Sequence, residues 1–289
     1  AAKDHWPDPV AFALPPLTNF AITIYYGQCW SKLLTGHPSP RCKSYFLAGN
    51  AVASPNMPGA IKVQHWYNIE DVDVMADDSY GAVVTFGDSI TDGRGSTIGG
   101  NNRWPDDLAR RLHTNAPTAH ASVINTGIGG NAIFGGLGPA GIKRFDRDVL
   151  DKSGVKWVIV FEGVNDIGGA RGQRNATLAT NMIAAYKAFA EKAHAKNIRV
   201  YGATITPFGD SFYDSPQHEA IREAVNTWIR TNSVFDGLID FSAAVRDPAH
   251  PKKFKPESHP GPYANDWLHM NPSVYRARAD AINLKLFTQ

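Results

Sequence analysis

Cysteine is scarce in this chain: Cys29 and Cys42 are the only two in 289 residues. So few cannot supply the framework of a small disulfide-stapled scaffold. Neither sits in a metal-ligand spacing, which argues against a zinc site. The two flank a Pro/Gly-rich stretch. A bridge across it would stabilise by about 3 kcal/mol in the chain-entropy view and would point to an oxidising compartment; two free buried thiols are the alternative. An excess of one charge is lacking too. Lys and Arg total 29 against 27 Asp and Glu, a net charge of +2. That balance gives no reason to expect nucleic acid or an anionic membrane surface as partner. No apolar run approaches the roughly 18–20 residues of a bilayer span. A signal peptide is missing from the start; removal of a leader would account for that, and a secreted or periplasmic location is the expectation. Internal repeats and low-complexity tracts are absent.

What is present is an ordinary globular composition, 43% hydrophobic and 19% charged, long enough to bury a full core. Texture changes near residue 80. Before it, Pro and aromatics are dense and helical periodicity is missing. The stretch 20–26 is β-branched and aromatic and reads as a strand; 45–48 and 72–74 are shorter strand candidates. Residues 1–78 are expected to form a small β-rich accessory region, and 79–289 the main domain.

After residue 80, strands alternate with helices. Apolar runs at 82–86, 123–124, 157–161, 198–205 and 237–241 read as five strands covered on both faces. Helical patterns fall at 104–113, 176–196, 215–231 and 272–287. Ser215 and Asn271 are the predicted caps of the last two. This alternation implies a parallel five-stranded sheet in a three-layer α/β/α sandwich. In such sheets functional groups collect beyond the carboxyl ends of the strands.

Those ends are unusual. The first carries Gly87-Asp88-Ser89, the second Gly127-Ile128-Gly129-Gly130-Asn131, the third Glu162-Gly163-Val164-Asn165-Asp166. Asp266-Trp267-Leu268-His269 precedes the last helix. Acyl transfer needs a nucleophile, a base, a group to orient the base, and donors for an oxyanion. Ser89 could supply the first, His269 the second and Asp266 the third. The backbone N–H groups of Ser89 and the 129–130 glycines and the amide of Asn165 could supply the last. Asp88 and Asp166 read better as braces for backbone N–H groups than as acids, and Glu162 as the partner of a loop group or an arginine. Arg103 and Trp104 read as helix-start packing.

Taken together and in this order, these blocks resemble the SGNH (GDSL) hydrolase superfamily over about residues 82–280. The resemblance implies a flavodoxin-like fold, ester hydrolysis and no cofactor or metal. It makes Ser89, Asp266 and His269 the catalytic residues, and Ser89, Gly130 and Asn165 the oxyanion donors. Residues 162–168 are similar to a secreted branch with an added N-terminal β region, of which residues 1–78 match only the later part. The expected substrates are short acyl or acetyl esters, with esters on carbohydrate among the candidates. Longer-chain lipase or lysophospholipase activity is the alternative. Two competing classes are a metal-dependent phosphoesterase, which lacks the Asp-x-His pair a dinuclear site would want, and a non-catalytic polysaccharide-binding protein. An α/β-hydrolase lipase is disfavoured by the absence of Gly-x-Ser-x-Gly.

Overall fold

The computed structural model describes residues 9–27, 35–258 and 266–288. The N-terminal region holds two small antiparallel pairs. Strand β1 (Gly36–Pro38) pairs with β4 (His65–Tyr67), and β2 (Ser44–Phe46) with β3 (Ile61–Val63). The candidate strand at 45–48 thus appears as β2. Two other expected strands do not form. Residues 20–26 join no strand among the described residues, and Phe20, Ile22, Ile24, Tyr25 and Tyr26 are all exposed. Strand preference reflects packing on a half-buried sheet surface, and here no described strand offers one. Residues 72–74 join no strand either. Around them, Glu70 and Asp71 bind Lys152 at 2.5 and 2.6 Å, and Asp73 accepts from Ser153 at 2.5 Å. Cys29 lies outside the described residues, and with it the expected bridge to Cys42.

The main sheet has the order β6–β5–β7–β8–β9, every pair parallel. Its strands are β5 (Gly81–Gly87), β6 (Ala121–Asn125), β7 (Val155–Phe161), β8 (Arg199–Ala203) and β9 (Gly237–Ile239). All seven residues of β5 are buried. The helices are α1 (Ser89–Asp92), α2 (Trp104–Thr114), α3 (Gly141–Phe145), α4 (Val164–Gly169), α5 (Arg174–His194), α6 (Pro216–Thr231), α7 (Phe241–Val245) and α8 (Pro272–Asp280).

Aromatic residues mark the two covered faces of the sheet. On one, Phe86 of β5 meets Phe145 of α3 at 5.3 Å and Phe189 of α5 at 5.7 Å. On the other, Phe161 of β7 meets Phe241 of α7 at 5.0 Å, and Phe241 meets Trp104 of α2 at 5.2 Å. Each such fully buried side chain is worth about 1.5–3 kcal/mol relative to exposure. The result is the expected α/β/α sandwich.

Local signals set the helix ends. Ser215 accepts from the His218 N–H at 3.1 Å. Asn271 accepts from the N–H groups of Ser273 and Val274 at 3.0 and 3.2 Å. The last helix stops at Asp280, short of the expected 287. Asn283 then accepts from the Lys285 N–H at 3.0 Å, starting a separate short turn at Leu284–Phe287. Among the described residues no helix is long and apolar enough to cross a membrane.

Strand order positions the site. From β5 the chain steps outward to β6, then returns to β7 on the other side. The order therefore reverses at β5, and in sheets of this kind ligands bind beyond the carboxyl end of the strand at such a reversal.

Candidate active site

Ser89 begins α1, directly beyond β5. Asp88 caps that turn: its carboxylate accepts the Ile90 N–H at 2.8 Å. The Ser89 side chain is thereby held at the sheet edge on a buried elbow.

His269 arrives from the opposite end of the chain, just before α8. Trp267 takes a left-handed φ of 53°, which folds Asp266 back over the imidazole. One Asp266 oxygen accepts the N–H groups of Leu268 and His269 at 3.1 and 2.9 Å; the other receives Nδ1 of His269 at 2.7 Å. Leu268, buried in the core, anchors the turn. Nε2 of His269 lies 2.7 Å from Oγ of Ser89. With the proton on Nδ1, where a carboxylate accepts it, Nε2 is left as an acceptor for the serine hydroxyl.

Electrostatics favour that tautomer. Burial pushes the His269 pKa below its ordinary value of 6.5, against the upward pull of Asp266; Arg94 and Arg278 add to the lowering. Burial also pushes Asp266 upward, but the His269 hydrogen bond and charge and two backbone N–H groups outweigh it, leaving a pKa of about 2. At neutral pH the pair is thus a carboxylate beside a neutral imidazole that can take one proton.

The glycine loop and Asn165 close the arrangement. The Ile128 N–H donates to Gly87 at 3.0 Å, and the Asn125 amide to Thr91 at 2.9 Å, seating the loop against the serine elbow. Gly130 sits at φ 73°, a conformation that disfavours any side chain. Asn165, on the first turn of α4, donates through Nδ2 to the Asn131 carbonyl at 2.6 Å. Asp166 accepts the N–H groups of Ile133 and Phe134 at 2.7 and 3.1 Å, so it does brace the loop. Burial raises its pKa to about 6 and that of Asp88 to about 7; each is offset in part by its backbone donors.

Thus the four predicted segments meet. Ser89, His269 and Asp266 form one hydrogen-bonded line, and the loop of Gly130 is joined to Asn165 at the start of α4 through Asn131. Arg103 and Trp104 stay at the start of α2: Arg103 bonds Asp106 at 2.6 and 2.8 Å, and Trp104 is fully buried.

Other residues that build the site have no sequence signal. Arg144, wholly buried, donates to Gly87, Thr126 and Asn131 at 2.9, 2.7 and 2.8 Å. It also pairs with Asp148 at 2.9 Å and with Glu162 at 3.2 Å, and stacks 4.0 Å from the Phe86 ring. The partner expected for Glu162 is therefore Arg144, which ties three strand ends together. Burial and the Asp88 charge hold the Glu162 pKa well above the usual carboxylate range despite Arg144. Tyr213 donates its hydroxyl to Oδ1 of Asn165 at 2.9 Å. His37 of β1 binds the buried Asp92 at 2.7 Å, so the N-terminal segment touches the helix that carries Ser89. Distance in sequence hides all three. Among the described residues, no group of three or more His, Cys, Asp or Glu side chains could hold a metal ion.

Comparison with known proteins agrees with this geometry. Solved structures similar to this chain include a G-D-S-L family protein from Desulfitobacterium hafniense DCB-2. It is 19% identical, with a TM-score of 0.52 over 69% of this chain and 96% of that one. The acetyl xylan esterase AlAXEase is 26% identical, with a TM-score of 0.51 over 69% and 96%. A carbohydrate acetylesterase family member from Sinorhizobium meliloti is 14% identical, with a TM-score of 0.53 over 71% and 97%. No curated protein matches. The model of the GDSL-like Lipase/Acylhydrolase family matches residues 85–277, and this span takes in the serine elbow, both loops and the Asp-His turn. The chain belongs to the GDSL-like lipase/acylhydrolase family.

Proposed function

We propose that this family member is a serine ester hydrolase acting on short acyl or acetyl esters, carbohydrate acetates foremost. One observation carries the reading: the line from Ser89 Oγ to His269 Nε2 and from Nδ1 to Asp266, each step 2.7 Å. In this reading Ser89 attacks the ester carbonyl while His269 takes the hydroxyl proton. Asp266 holds the imidazole in its tautomer and stabilises the imidazolium that forms. The second Nδ2–H of Asn165, with the N–H groups of Ser89 and Gly130, receives the oxyanion. His269 then protonates the departing alcohol, leaving an acyl group on Ser89. Water, deprotonated by the same histidine, releases the acid and restores the serine.

The preference for acetyl groups is supported by the 26% identity to an acetyl xylan esterase. Action on a polysaccharide also suits an extracytoplasmic enzyme, and we place the protein there. Rates on aryl esters of rising acyl length, then on acetylated xylan, test the proposal. Acetyl and short acyl esters should be cleaved fastest, and Ser89→Ala should lose essentially all activity. A preference for acyl chains of ten carbons or more would overturn the substrate assignment. A fully active Ser89→Ala enzyme would overturn the mechanism.

A further inference from the structure

Asn165 is bonded on both sides. Its Nδ2 donates to the Asn131 carbonyl at 2.6 Å, and its Oδ1 lies 2.9 Å from the Tyr213 hydroxyl. Only the amide nitrogen can face a carbonyl oxygen at that distance, so the first contact fixes which end of the amide is which. Oδ1 is an acceptor only, so the tyrosine must be the donor. One Nδ2–H is used on Asn131 and one remains. Donation into Oδ1 polarises the amide and strengthens the remaining N–H as a donor, the usual effect of hydrogen bonds in series.

We infer that Tyr213 is a positioning residue for the reaction, setting the orientation and donor strength of Asn165 from behind. The inference rests on the proposed role of Asn165 as an oxyanion donor. Its surroundings are built to hold the ring there. Tyr213 lies on the loop between β8 and α6. Its N–H donates to Ser211 Oγ at 3.1 Å, and its carbonyl faces Nδ1 of buried His218 at 2.8 Å. Its ring lies so close over Gly168 of α4 that a methyl group there would overlap it. α4 also carries Asn165, so a glycine one turn along the same helix gives the ring its seat. Burial, with Asp88 nearby, raises the Tyr213 pKa, which keeps the hydroxyl protonated as a donor.

The test is a double-mutant cycle of Tyr213→Phe and Asn165→Ala on an aryl acetate, with Ser89→Ala as control. Tyr213→Phe keeps the ring and removes only the donor. Its kcat should fall about 5–10-fold, the scale of one neutral hydrogen bond. KM should stay within about twofold, and the melting temperature should be nearly unchanged. In the Asn165→Ala background the same substitution should have no further effect, because the group it acts through is gone. A Tyr213→Phe enzyme with wild-type kcat would overturn the inference. So would a loss of the same size in both backgrounds. If Ser89→Ala is inactive while Tyr213→Phe is normal, only the positioning role fails. If Ser89→Ala is active, the underlying mechanism fails.

Discussion

Replacing Arg144 by methionine should unravel the site's frame without touching Ser89. The thioether chain would fill similar length against Phe86, so packing loss is small. The polar loss is large. Asp148 and Glu162, whose side chains are 9% and 0% exposed, would lose the guanidinium. The carbonyls of Gly87 and Thr126 and the Asn131 side-chain oxygen would lose a donor. Removing one partner of a buried ion pair costs up to about 3–5 kcal/mol; Asp148 keeps Arg147 at 2.5 Å, so the loss falls on Glu162 and the three oxygens. For a domain of this size each kcal/mol moves the melting point by about 2–4 °C, so a drop of up to roughly 6–20 °C is expected. Urea unfolding of wild type and Arg144→Met at pH 7, followed by fluorescence, gives the difference directly. Activity measured below both midpoints should also fall, since the three tethered strand ends carry Ser89, the glycine loop and Asn165. A stability loss under about 1 kcal/mol would refute the assignment of Arg144 as the common anchor.

The groups proposed to be catalytic give further expectations. Asp266→Asn, which disturbs the tautomer at Nδ1, should lower kcat by on the order of 10⁴-fold with the fold intact by circular dichroism; a loss under tenfold would remove Asp266 from its role. His269 must be neutral to accept a proton, and its pKa is pushed down by burial. The acid limb of kcat/KM should therefore have its midpoint below 6.5, with a plateau through neutrality. A midpoint above 6.5 contradicts the burial effect. Asp88 works in the opposite sense on stability. Its folded pKa of about 7 lies above the unfolded value of about 4, so the fold prefers it protonated. Its contribution is full at acid pH and is lost as pH rises from about 4 through 7. Asp88→Asn, which can still accept from Ile90, should flatten the decline of stability over that window; an unchanged slope would show that Asp88 does not titrate there.

The central sheet and the meeting of Ser89, His269 and Asp266 could be read from the sequence because both rest on local patterns. Buried strands such as 82–86 and 157–161 are continuous apolar runs, and each is followed by a distinctive polar block. Ser215 and Asn271 announce their helices by cap chemistry alone. The failures share a different cause. Residues 20–26 have every local feature of a strand, yet strands exist in pairs, and that no partner lies among the described residues is not written in the segment itself. The helical pattern of α8 continues across Asn283, which starts a new turn instead of extending the helix. Arg144 and Tyr213 act on groups 57 and 48 positions away in sequence. A lone arginine or tyrosine has no spacing to betray such a task. Only the folded sheet, which stacks its strand ends side by side, makes them neighbours of Ser89 and Asn165.

The contact between His37 and Asp92 bears on how this hydrolase could be dissected. Asp92 is buried on the single helical turn that begins with Ser89, and its imidazole partner comes from β1, outside the residues 85–277 that the family model matches. Asn19 accepts from Asn101 at 2.8 Å, and the Gly99 N–H donates to the Arg41 carbonyl at 2.7 Å, so the same join is stitched at several points. A shortened protein starting at residue 79 would not be a clean excision. It would bare the Asp92 carboxylate on the same helical turn as Ser89, and the N-terminal segment and the sheet domain are better treated as one heritable unit than as interchangeable cassettes.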